Sequence, residues 1–171
     1  MVIDENLYMK YFNFEYLLAY VRISLGLIFL WAFFDKVFGL GFATTAGKSW
    51  LDGVSPTIGF LKFGTTGPLA PFYKGLAGNV FVDWLFMIGL LGIGFSLIAG
   101  IGVRIAGYSG ALMMLLMWSA LLPPKNHPFL DDHIIYLIVL LVITKSNVGQ
   151  IIGLGKWWSQ TNVVLKYKFL E

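Results

Sequence analysis

The chain has 171 residues, of which 58% are apolar and 12% charged, with a mean hydropathy of +0.78. A soluble domain carries roughly 25% charged residues, so this composition excludes an ordinary globular protein and indicates an integral membrane one. The net charge of +3 is spread out, with no basic run suited to nucleic acid. Cysteine is absent, which removes disulfides, thiolate metal sites and iron–sulfur ligation from this chain.

Met1–Tyr16 carries Asp4, Glu5 and Glu15 and lacks a basic start, so it does not read as a secretory signal. The first apolar run, Leu17–Phe34, is expected to be a retained helix. Arg22 lies inside it, placed to snorkel to the near interface or to pair with Glu15. Gly26 offers a point of close helix approach. Residues 36–79 exceed an ordinary connection and hold many apolar and aromatic side chains, which argues for an ordered lid rather than disorder. Within it, Ser55-Pro56 reads as an N-cap and first turn, predicting a short helix over Pro56–Phe63.

The second run, Val80–Ile101, has Asp83 in its first turn and the small-residue stripe Gly92, Ser96 and Gly100. The third, Ile105–Leu122, stops at Pro123-Pro124, and Ala106 and Gly110 repeat the small-residue spacing. The fourth, Ile134–Ile143, is too short to cross alone. It must extend backward through Asp131-Asp132-His133, forward past Lys145, or both. Gly149–Trp158 reads as an interfacial exit anchored by Trp157-Trp158. The expectation is therefore one all-α membrane domain over 1–171, an up-and-down four-helix bundle with spans near 16–35, 80–101, 105–122 and 131–150.

Four crossings put both termini on one side, with Lys10, Arg104, Lys145, Lys156, Lys166 and Lys168. Lys36, Lys48, Lys62, Lys74 and Lys125 fall on the other. Arg104 and the basic tail favour cytoplasmic termini in a multi-pass cell-membrane protein.

At the lid end, Lys36 closes the first helix, Asp83 opens the second, and Asp131, Asp132 and His133 open the fourth. Asp132 and His133 stand four and three residues before Tyr136, on neighbouring helix faces. Ionisable groups at a membrane boundary are costly and so mark a candidate site. Asp132 and His133, with Asp131 weaker and placed to cap the helix, are candidates for proton exchange. Lys36, Asp83, Tyr136, His127 and Lys125 are candidates for holding a polar or anionic ligand. The structural alternative carries equal weight: a buried network, Lys36 with Asp83, Asp131 or Asp132, that sets helix register. His127 and His133 are six residues apart with Pro128 between them, so no metal or haem site is assigned.

Arg22-Ile23-Ser24-Leu25-Gly26-Leu27-Ile28-Phe29-Leu30, followed by Phe33-Phe34-Asp35-Lys36-Val37-Phe38-Gly39, resembles the DoxX/DoxD family of small four-helix membrane proteins. The resemblance continues in Gly92–Gly102 with Arg104, in Leu122-Pro123-Pro124 and from Asn126 to His133. Gly153-Leu154-Gly155-Lys156-Trp157-Trp158 is similar to the membrane subunit of quinone-linked thiosulfate dehydrogenase. What the resemblance implies is oxidation of thiosulfate to tetrathionate, with electrons passed to membrane quinone and a second small subunit as partner. Quinone would then be a substrate entering laterally from the bilayer near the polar mouth. Because this chain offers no evident redox group, electrons either pass directly to quinone or run through the partner. A non-catalytic subunit that assembles or seals a larger membrane complex is the alternative. A transporter is the third class, disfavoured because no internal inverted repeat is evident.

Overall fold

The computed structural model describes residues 14–170. Among these the chain is all helical, with no strand. Helix α1 runs Phe14–Phe38, α2 Ala70–Gly75, α3 Val80–Ala99, α4 Val103–Ala120 and α5 Asp132–Lys145, with the short α6 Gly155–Ser159 and α7 Asn162–Lys166 near the end. Three of them, α1, α3 and α4, are long and apolar enough to cross a membrane. Only 28, 33 and 39% of their most apolar windows is buried by the protein itself. The rest, including Leu27, Trp31, Ile88, Phe95 and Leu112, lies on the outside. A surface this apolar belongs in lipid.

The helix ends follow from local chemistry. Asn79 caps α3 by accepting from the amides of Phe81 and Val82. The turn from α3 to α4 uses two left-handed glycines, Gly100 (φ +78°) and Gly102 (φ +62°), which lets the helices fold back within three residues. Asp131 caps α5, accepting from the amides of His133 and Ile134. So α5 does extend backward, to Asp132, and stops at Lys145 without going further. Its 14 residues rise roughly 21 Å at 1.5 Å per residue, short of a full hydrocarbon crossing.

Helix α1 packs along α3, α4 along α5, and α3 on α4. One apolar core built around Leu25, Phe29, Met87, Leu97, Leu140 and Ile143 joins all four. Helices α1 and α3 approach closely at Gly26 and Gly94. A Cβ at Gly94 would lie 2.8 Å from the Leu30 amide nitrogen and 3.0 Å from the Gly26 carbonyl. The expected stripe of Gly92, Ser96 and Gly100 is thereby corrected. Gly92 is exposed with nothing near its Cβ position, and Gly100 serves the turn. The contact is made by Gly94 alone, with Leu90 and Ile98 four residues to either side, so no small-residue stripe faces α1. On α4 the small residues do mark packing: Ala106 is buried, Gly110 sits against Leu140, and Gly107 leaves no room beside Thr144.

The 36–79 segment is ordered over the end where α1 finishes and α3 begins. Its helical turn ends in a π-helical stretch, Phe60–Gly64, and a second helix, α2, follows that the sequence reading did not anticipate. Ser55 does not cap the turn with its side chain; its hydroxyl donates instead to Asp83.

Candidate functional site

The lid is tied down by buried carboxylates. Asp35, in the last turn of α1, is 1% exposed and accepts from the amides of Phe42 (3.2 Å) and Thr44 (2.8 Å). Asp83, one turn into α3, is buried and accepts from the hydroxyls of Ser55 (2.8 Å) and Thr57 (2.5 Å). Burying a carboxylate is costly unless hydrogen bonds replace its water, and both are so supplied. Around them Trp50 meets Trp84 edge to face at 4.7 Å, and the Tyr73 hydroxyl meets Ser119 at 2.5 Å. The Thr66 amide donates to the Ala120 carbonyl, so the far end of α4 is fastened to the lid as well.

On the neighbouring loop, Trp118 Nε1 donates to the Phe129 carbonyl, and His127 Nδ1 accepts from the amides of Phe129 (3.2 Å) and Leu130 (3.0 Å). His127 thus closes a turn. Asp131 does two jobs at the start of α5. One oxygen receives the two capping amides, and the other lies 2.8 Å from His133 Nδ1. The two side chains are 21% and 18% exposed, so the pair is partly sheltered but reachable. An ionised carboxylate can only accept, so Nδ1 carries the proton and Nε2 of the neutral ring is left as the basic nitrogen.

Set against the sequence expectations, the shared mouth loses its centre. Among the described residues no ion pair joins Lys36 to Asp83, Asp131 or Asp132. Asp83 is taken by two lid hydroxyls and Asp131 by its own helix and His133. Lys36 is half-buried at the end of α1. Asp132 is exposed rather than turned into the bundle, because the cap at Asp131 starts the helix with Asp132 on its outer face. Tyr136 is half-buried and packs on the core. Lys125 is exposed on the loop. Among the described residues no group of three or more His, Asp or Glu is placed to hold a metal ion. Sequence order places Asp35 and Ser55 at this end, but not the buried ties they make: Asp35 to the lid amides, and Ser55 with Thr57 to Asp83. The sequence signal was a carboxylate at the end of an apolar run, directly after Phe33-Phe34 and before Lys36.

The opposite end is organised by Arg22. Its side chain is fully buried, donating to the Leu97 carbonyl at 2.8 Å and to the Ile152 carbonyl. Leu97 is in the last turn of α3, where carbonyls lack intrahelical partners and carry the negative end of the helix dipole. Arg22 therefore joins α1, α3 and the segment after α5. It neither snorkels nor points out. An apolar groove of about 470 Å³ opens between α1 and α5, lined by Phe14, Leu18, Ile138, Leu141 and Val142 with Lys145 at its end. Lys145 is twelve residues beyond His133 on α5, a rise of roughly 18 Å, so groove and imidazole lie at different depths. No family model, curated protein or solved structure matches this chain.

Proposed function

We propose that this chain is the membrane subunit of a quinone-linked oxidoreductase of the thiosulfate dehydrogenase type, acting with a second small subunit. The observation that supports it is the His133–Asp131 pair at 2.8 Å, half-sheltered where α5 starts. Two thiosulfate ions yield tetrathionate and two electrons, and quinone takes up two electrons and two protons. In this scheme the partner handles the sulfur chemistry. Nε2 of His133 passes protons singly to the quinone oxygens, and Asp131 steadies the resulting imidazolium. Tyr136, one turn along α5, positions the head group. Asp132, being exposed, takes no part in the transfer. The helices form a four-membered bundle with α5 as its short fourth element and cytoplasmic termini. Arg104, Lys145, Lys156, Lys166 and Lys168 at that end support this orientation. The test is thiosulfate-dependent quinone reduction by the chain purified with its co-expressed partner. Absence of turnover in an intact complex rejects the assignment.

A second reading has its own observation. Arg22, Asp35 and Asp83 are all committed to fastening helices and lid. That suits an accessory subunit whose task is to assemble or seal a larger membrane complex. It is distinguished by intact assembly with no change in turnover when His133 is replaced.

A further inference from the structure

The two ends differ in how far carboxylates balance their positive charge. At the lid end, five lysines (Lys36, Lys48, Lys62, Lys74, Lys125) face five carboxylates (Asp35, Asp52, Asp83, Asp131, Asp132). At the other end the described residues carry Arg104, Lys145, Lys156, Lys166 and Lys168 against Glu15, with Arg22 buried. Asp4, Glu5, Lys10 and Glu171 lie outside the described residues. The same end exposes Leu154 (54%), Trp157 (62%), Leu165 (56%) and Phe169 (62%), interleaved with the tail lysines. Apolar and aromatic side chains alternating with lysine suit the headgroup region of a bilayer.

The α1–α5 groove opens at this end. Its walls are aliphatic and aromatic, and Lys145 and Ser146 border it. The Lys145 ammonium is 5.9 Å from the centre of the Tyr108 ring, and among the described residues it makes no ion pair. We propose that the groove is a binding site for an anionic phospholipid: one acyl chain lies along Leu18, Ile138 and Leu141, and the phosphate rests on Lys145, since the Ser146 hydroxyl already donates to the Ile143 carbonyl. The apolar volume fits a hydrocarbon chain and the cation fits the headgroup. A neutral isoprenoid chain would leave Lys145 unmatched. The surrounding lysines raise the local concentration of anionic lipid and hold it at the site.

The test uses the full-length protein in mild detergent. Phosphatidylglycerol and phosphatidylcholine of identical acyl chains are the probes, and retained lipid is counted by native mass spectrometry. The wild type should retain phosphatidylglycerol about fivefold better, the ratio expected for one well-placed cation. Lys145→Gln should bring the two lipids near parity, and Leu141→Trp, which fills the groove, should lose both. Equal retention by the wild type overturns the site, as does a Lys145→Gln preference unchanged from wild type. Displacement of the bound lipid by a long-chain quinone would assign the groove to quinone instead. Loss of the bound lipid on dimer formation would assign it to a second copy.

Discussion

Two alanine substitutions on one helix measure how α1 and α3 hold together. At Gly94 an added Cβ would lie 2.8 Å from the Leu30 nitrogen and 3.0 Å from both the Gly26 carbonyl and Leu30 Cβ. Carbon contacts are optimal near 3.5–4.0 Å, so the helices must part by roughly 0.5–1 Å along their crossing. Two of the three obstacles are backbone atoms and cannot swing aside. Overpacking of this kind costs about 1–3 kcal/mol. At Gly92 the Cβ meets nothing within 4 Å. Both substitutions gain the same helix propensity, up to about 1 kcal/mol over glycine. The difference between Gly94→Ala and Gly92→Ala therefore isolates the packing cost, and we expect Gly94→Ala to be less stable by about 1–3 kcal/mol. Reversible unfolding in mixed micelles, followed by circular dichroism, reads this directly. Equal stability of the two variants would refute the Gly26–Gly94 crossing. A larger loss at Gly92 would restore the stripe inferred from spacing.

Other expectations concern the charged ties. Asp83→Asn weakens two charge-assisted hydrogen bonds from Ser55 and Thr57, each worth about 1.5–3 kcal/mol; limited proteolysis should then cut within 36–79 far faster than in wild type, and an unchanged rate would show that the lid is held otherwise. Arg22→Met leaves the Leu97 and Ile152 carbonyls without their donor, about 1–3 kcal/mol for each buried group, part of which is offset because a buried charge is also removed; we expect a net loss of stability, and a gain would mean the desolvation cost dominates. Ser49 donates to Asp52 through its hydroxyl (2.6 Å) and amide (2.9 Å), holding that exposed carboxyl below its ordinary range. A carboxyl depressed in the folded state contributes stability above its unfolded value and loses it as pH falls through the folded one. Protection of the Ser49 amide, relative to its intrinsic exchange rate at each pH, should therefore fall only in acid, below the ordinary carboxylate range, and constant protection there would contradict the turn.

What could be read from the sequence follows what hydrophobicity encodes. The apolar runs located α1, α3 and α4 to within a few residues, because length and composition alone decide whether a segment can cross lipid. The start of α5 was legible from Asp131, whose carboxylate before an apolar run is a helix cap. The phase of the packing glycines was not legible, since Gly92 and Gly94 both lie in apolar surroundings and only the neighbouring helix chooses between them. The partners of the buried charges were not legible either. Sequence order suggests that charges at one end pair with one another, yet hydroxyls, amides and carbonyls took that role at Asp83, Asp35 and Arg22. Polar groups are common in every loop, and nothing in the sequence marks which ones the fold brings within reach.

Turnover per assembled complex in His133→Gln, compared with Asp132→Asn, tests the proton-exchange role most directly. Both residues lie in the first turn of α5, and neither is fully buried, so both variants should assemble at wild-type levels. If Nε2 of His133 delivers protons to quinone, its loss should lower thiosulfate-dependent quinone reduction by about 10²-fold or more. Asp132→Asn, on the exposed face, should stay near wild type. Near wild-type turnover in assembled His133→Gln would contradict the catalytic role and leave the chain as a structural subunit.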